Sequence, residues 1–187
     1  GVGQSLVALK INLGLLPLQP TDDARKIHAG KTIKMVDEAI AEIRNVIGNL
    51  EPSAIKKDGL SASIRSLCEK LEKISGIRFQ CTITDAMPAW NETEELNLYR
   101  IVQECLTNII KHSGATEADI NMLVLNANRF LISVIDNGRG FNLQTVDSGF
   151  GLTSIRERSA ILNAKIAIDS VEGGGTRVIL EVPYEQN

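Results

Sequence analysis

Several common features are missing from this 187-residue chain. No apolar run approaches the roughly 20 residues that a bilayer-spanning helix requires, and no secretory leader opens it. Basic residues are not in excess. The balance of 20 Lys and Arg against 23 Asp and Glu leaves a net charge of −3, without the electrostatic footprint of a nucleic-acid binder. Cys68, Cys81 and Cys105 are odd in number and lack metal-ligand spacing, so reduced, buried thiols in a cytoplasmic setting are expected. There is no internal repeat and no low-complexity segment. The first residue is Gly1 rather than Met, which predicts a piece of a longer protein. What remains is ordinary for a soluble globular protein: 43% hydrophobic and 23% charged residues, and enough length for one or two domains.

The first fifty residues have their own pattern. Val2, Leu6, Leu9, Leu13 and Leu16 recur at spacings of four and three, and so do Ile33, Val36, Ile40, Ile43, Ile47 and Leu50. Each set is an a/d seam on a helix. Pro17 and Pro20 break the first helix, and Thr21, Asp22 or Asp23 can cap the second. Residues 1–52 are therefore expected to form a helical hairpin. Each narrow seam calls for more apolar surface than one partner helix supplies, which predicts a homodimer in which two hairpins build a four-helix bundle. The alternative is a hairpin docked within its own chain. Glu51-Pro52 closes this region, because the residue before proline disfavours helix.

Residues 53–187 read as a second, α+β domain. Helices are expected over Leu60–Ile74, Glu92–Lys111 and Leu152–Leu162, with Gly76 ending the first. Strands are expected over Arg78–Thr84, Ala118–Leu125, Arg129–Ile135, Lys165–Ser170 and Thr176–Val182. Hairpin-sized gaps between neighbouring strands favour a mixed or antiparallel sheet with helices on one face.

Four motifs carry candidate chemistry. On the Glu92–Lys111 helix, Arg100, Glu104, Asn108 and Lys111 fall near one line, flanked by apolar residues. Taken alone, that stripe reads better as a solvent-facing one. DNGRGF, Asp136 to Phe141, puts a carboxylate at a strand end and two glycines where a ligand can approach the backbone, although Asn-Gly after a strand is also a common turn. SGFGL, Ser148 to Leu152, opens a helix with glycines, so free N–H groups and the positive end of the dipole can meet an anion. EGGGTR places a glycine turn before a strand that starts at Thr176.

In this order the four motifs resemble the nucleotide-binding domain of the histidine kinase, gyrase, Hsp90 and MutL ATPase superfamily. The chain is most similar to two-component sensor histidine kinases of the nitrate-sensor and DesK type, whose YRIVQE.LTN..KH hallmark is matched by Tyr99 to His112. The likeness extends to GQSL near the start, to NLEP, DGLSASIR and IRERSAIL. It implies a dimerisation hairpin followed by an α/β-sandwich (Bergerat) ATP-binding domain, with ATP and Mg2+ as cofactors. Asn108 matches the magnesium-binding amide, and Glu104 the acidic residue that orients the attacking group or holds the metal through water. Lys111 would neutralise phosphate charge, His112 would lie near the adenine or ribose, and Asp136 would accept from the adenine amino group with support from Thr176. Gly138, Gly140, Gly149, Gly151 and Leu152 would cradle the nucleotide as a short lid. Such phosphoryl transfer needs positioning and charge neutralisation more than covalent help from the protein.

The same resemblance implies a phosphoacceptor histidine, which this register places two positions before Gly1. Of the two histidines present, His112 belongs to the nucleotide site and His28 is expected to face solvent. Gln4 matches a glutamine associated with dephosphorylating the partner, or else is an ordinary surface residue. The expected partners are a DNA-binding response regulator and a second copy of the chain. Direct nucleic-acid binding is not expected, and membrane attachment would come only through upstream regions. The competing readings are another ATPase of the superfamily, such as an anti-sigma-factor serine kinase, and a non-catalytic dimerisation scaffold.

Overall fold

A computed structural model of the chain describes residues 2–18, 20–48, 52–142 and 150–185. The chain divides into two compact units, residues 1–53 and 54–187. In the first, α1 (Val2–Leu15) runs into a single 3-10 turn (Leu16–Leu18), and α2 (Asp22–Gly48) returns along it. Thr21 caps α2, its Oγ1 accepting from Ala24 N–H at 3.1 Å, and Asp22 and Asp23 place negative charge in the first turn. Leu9 on α1 and Thr32 and Ala39 on α2 are buried, and Thr32 Oγ1 donates to the His28 carbonyl within α2. His28 does not simply face solvent as expected. It is half-buried, and Nε2 donates to the Asn12 carbonyl at 2.9 Å, tying α2 to α1. Leu13 and Ile33, both expected in the seams, stay largely exposed within the single chain.

The second unit is α+β, as the sequence predicts. The helix before the first strand, α3 (Pro52–Ser75), begins with proline at its first position, where the missing N–H costs nothing. It breaks at Gly59, whose φ of 77° and ψ of 170° are non-helical, so the run from Leu60 is a separate stretch. Gly76 terminates it, its N–H donating to the Glu72 carbonyl. Then follow β1 (Arg78–Ile83), α4 (Glu92–Asn108), β2 (Glu117–Asn126), β3 (Arg129–Asp136), α5 (Phe150–Ile161), β4 (Lys165–Ser170) and β5 (Thr176–Pro183).

The strands form one mixed sheet in the order β1-β2-β3-β5-β4. Only β1 and β2 are parallel, because α4 crosses over between them; the other three pairings are antiparallel. Alternate strand residues, among them Phe79, Ile120, Met122, Phe130, Ile132, Val134, Leu180 and Val182, form one core with Ile64, Leu98, Ile101, Val102, Leu106 and Ile155 from the helices. Each such side chain contributes roughly 1.5–3 kcal/mol by leaving water, and together they fix α4 and α5 on one face of the sheet. A capping box starts α4: Glu94 N–H donates to Asn91 Oδ1 at 2.9 Å and Asn91 N–H to Glu94 Oε2 at 2.8 Å. Among the described residues, no helix is long and apolar enough to cross a membrane.

Candidate nucleotide site

The stripe expected along α4 is interrupted. The α-helix stops at Asn108 and a single π turn, Ile109–Ser113, follows, so Lys111 and His112 leave the α-helical register. Such turns concentrate at functional sites. This one is held from inside by buried Ser113, whose Oγ donates to the Ile109 carbonyl at 2.7 Å and accepts from Ala115 N–H, and Gly114 ends it in the left-handed region at φ 64°. Arg100, at the other end of the expected stripe, is buried, and its guanidinium donates to Gln103 Oε1. What remains of the expected line is Glu104 and Asn108, both half-buried, with Lys111 and His112 exposed on the wider turn beyond.

Gly151, in the first turn of α5, lies directly on that pair. A Cβ added there would overlap the Glu104 carboxylate and would stand 3.2 Å from both polar atoms of the Asn108 side chain. A side chain at this position would have to displace the Glu104 carboxylate, so glycine suits the close approach of α5. The helix is anchored to α4 farther along, where Arg158 Nη1 donates to the buried Asn97 Oδ1 at 3.1 Å.

The second pole of the site is the end of β3. Asp136 is 6% exposed and is paired across the sheet with Thr176, the first residue of β5. Its Oδ1 accepts from Gly138 N–H at 2.8 Å. Burial pushes the Asp136 carboxyl above the ordinary aspartate value, and the N–H groups of Gly138 and Thr176 partly offset this. Gly138 packs against Ser113, so a side chain there would strike the Ser113 carbonyl and Asp136 Oδ1 at 2.6 and 2.7 Å. A Cβ at Gly140 would overlap the carbonyl of Val171. Thr176 Oγ1 lies 3.0 Å from the Ser170 hydroxyl, which accepts from Phe141 N–H at 2.9 Å.

Of the residues singled out from sequence, Glu104, Asn108 and Gly151 come together, as do Asp136, Gly138 and Thr176, while Lys111 and His112 occupy the turn between α4 and the glycine loop. Leu152 is half-buried and packs on the core. Gly149 and most of the expected lid lie outside the described residues, and Gln4 sits on α1 with its side chain likewise outside them. The thiols differ from expectation at one position: Cys68 and Cys105 are buried, but Cys81 is only half-buried. Sequence reasoning missed Ser113, Ser170 and Asn137. The Asn137 amide clips the β3 end to the start of β2, Oδ1 accepting from Thr116 N–H at 2.9 Å and Nδ2 donating to Thr116 Oγ1. Its place in Asp-Asn-Gly was the one available signal.

Glu104 and Asn108 offer hard oxygens on one spot, which suits magnesium. That ion keeps several waters and takes only one or two protein ligands beside substrate phosphates. Among the described residues there is no group of three or more His, Cys, Asp or Glu able to hold a metal unaided.

Comparison with known proteins agrees with this geometry. The family described as histidine kinase-, DNA gyrase B-, and HSP90-like ATPase matches residues 93–186, about half of the chain. The oxygen sensor histidine kinase NreB of Staphylococcus carnosus is 31% identical over 185 residues, covering 98% of this chain and 53% of that protein. The sensor histidine kinase LiaS of Bacillus subtilis is 34% identical over 158 residues, covering 82% and 43%. The chain therefore spans about half the length of these curated relatives. The histidine kinase domain of the Erythrobacter litoralis EL346 blue-light activated histidine kinase shares the fold at a TM-score of 0.66 and 16% identity, covering 95% of this chain and 93% of that one. Since the matched segment carries α4, the Asp136 loop, α5 and β5, the chain belongs to the histidine kinase-, DNA gyrase B- and HSP90-like ATPase family.

Proposed function

We propose that this chain is the dimerisation and catalytic core of a sensor histidine kinase. Residues 1–52 serve as the hairpin, and residues 53–187 bind Mg-ATP for phosphorylation of a histidine upstream of Gly1. The observation that carries this reading is the backbone of Gly151 seated on Glu104 and Asn108, together with the buried Asp136 carboxylate at the end of β3. The pose proposed puts the purine at Asp136 and the triphosphate at the α4–α5 end.

In that pose the Asp136 carboxylate accepts from the purine amino group, and Thr176 holds the Asp136 strand end in place. His112 lies along the adenine or ribose, and Lys111 neutralises phosphate charge. Asn108 and Glu104 would hold the ion, which would supply positive charge to offset the phosphate charge. Glu104 also orients or deprotonates the attacking imidazole. Gly138, Gly140, Gly149 and Gly151 let main chain approach the nucleotide, with Leu152 backing the last of them. Gln4, one turn beyond the missing acceptor, would position water for dephosphorylating the partner.

The partner proposed is a response regulator of the DNA-binding type, and the setting is the cytoplasm. A homodimer through the hairpin is favoured by the apolar surface left open on α1, the 3-10 turn and α2. Val7, Ile11, Leu13, Leu18, Ile27 and Ile33 are all more than half exposed.

The test is a chain extended upstream by roughly ten residues, about three helical turns, incubated with γ-labelled ATP and Mg2+. Acid-labile, base-stable label on a histidine in the added segment is the expected result. Label on serine of an added protein substrate would instead favour a serine kinase of the same superfamily.

A further inference from the structure

Arg139 stands between the two glycines of the Asp136–Phe141 loop, and the nucleotide reading gives it no task. It nevertheless touches two other parts of the site. Its Nε donates to the His112 carbonyl at 2.8 Å, and its backbone N–H donates to the Ser113 carbonyl at 2.8 Å. Its own carbonyl accepts from Gly173 N–H at 2.6 Å, in the turn between β4 and β5. One residue thus stitches the purine loop to the π turn on one side and to the β4–β5 turn on the other.

The side-chain stitch falls on a weak place. A π turn is a rare, wide departure from the helix and survives where neighbours hold it. Here Ser113 holds the turn from within and the Arg139 guanidinium holds it from outside. The carbonyl it grips belongs to the peptide that directly follows Lys111-His112, so this contact helps to set where the Lys111 backbone stands relative to Asn108. With Nε engaged on that carbonyl, the guanidinium plane is oriented by the protein rather than by a ligand.

We infer that Arg139 is a positioning residue for the triphosphate: by gripping the His112 carbonyl it places Lys111, without itself contacting the nucleotide. The inference rests on the nucleotide reading above. It also separates the two glycines, which admit the ligand, from the residue between them, which fixes the opposite wall.

The experiment is a double-mutant cycle of Arg139→Ala and Lys111→Ala, with ATP and adenosine affinities measured by calorimetric titration and competition. Arg139→Ala is expected to weaken ATP binding about tenfold, the low end of what a hydrogen bond to a charged group is worth. Adenosine should change less than twofold. In the Lys111→Ala background the second substitution should add almost nothing, because groups acting in series are non-additive. Arg139→Lys, which keeps one donor for the carbonyl, should recover most of the affinity. Equal losses with and without Lys111 would mean a direct phosphate contact and would overturn the inference, as would an Arg139→Ala protein that binds ATP like the wild type. Wild-type protein that fails to bind ATP removes the nucleotide reading, and this inference with it.

Discussion

The three glycines Gly173, Gly174 and Gly175 offer a graded test of how the Asp136 end of the candidate site is built. Gly173 has φ 79° with open space around it, so alanine there meets only backbone strain, roughly 1–2 kcal/mol for a left-handed residue with a Cβ. Gly174 carries no such φ, and its nearest neighbours, Val171 Cβ and carbonyl oxygen, are 3.5 Å away, ordinary contact. Alanine at that position should be neutral or stabilise by about 0.4–1 kcal/mol through the unfolded chain. Gly175 has φ 76°, and its added Cβ would also overlap the Asp136 carbonyl oxygen and lie 3.4 Å from the Gly138 nitrogen. Strain plus overpacking of about 1–3 kcal/mol gives a loss of about 2–5 kcal/mol. That is a large fraction of a typical stability of about 5–15 kcal/mol. Urea and thermal unfolding followed by circular dichroism should rank Gly174→Ala most stable, then Gly173→Ala, then Gly175→Ala by a wide margin. Equal losses at Gly173 and Gly175 would refute the close approach to Asp136, and with it the account of why this turn is glycine-rich.

Two further predictions concern ionisation. The folded Asp136 carboxyl titrates above its ordinary value of 3.8, so the folded state binds the proton more readily than the unfolded one. Its contribution to stability is therefore greatest in acid and declines as pH rises from about 3.8 through the folded value, after which it is flat. An Asp136→Asn protein compared with wild type by urea midpoint should gain relative stability across that window, whereas ATP affinity of the wild type, which needs the carboxylate, should rise; opposite signs would contradict the burial argument. Among the thiols, Cys81 is lowered by the hydrogen bond with Cys68 and by the Arg65 charge, while burial and the Glu104 charge push Cys105 up to about 12. A disulfide reagent should therefore titrate one fast thiol in the native protein, and Cys81→Ser should remove it; fast reaction surviving that substitution would count against the assignment.

Much of this was legible in the sequence because it is local. The spacing of Leu98, Ile101, Val102, Cys105 and Leu106 places α4 on a core, and alternation marks β3 and β5. The Asp136, Gly138, Gly151 and Thr176 positions followed from motif order. What escaped was set by groups distant in the chain. The continuing apolar pair Ile109-Ile110 reads as more α-helix, but Ser113 and Arg139 hold a π turn there, and Lys111 leaves the stripe. Arg100 reads as part of a polar face and is buried instead. Pro52 reads as a terminator and becomes the first residue of α3, while the break falls at Gly59. The pairing of β5 with β3 joins strands some forty residues apart and has no short-range signature, whereas β4 and β5 form a hairpin across a glycine turn.

The central claim is that a purine amino group meets the Asp136 carboxylate. The most direct measurement is calorimetric titration of the protein, in Mg2+, with ATP and with inosine triphosphate, whose ring bears an oxygen where adenine bears the amino group. Leaving a buried acceptor facing another acceptor costs about 1–3 kcal/mol or more. Wild-type protein should therefore prefer ATP by roughly tenfold or above, and Asp136→Asn should erase the preference. Equal affinity of the wild type for the two triphosphates would contradict the account.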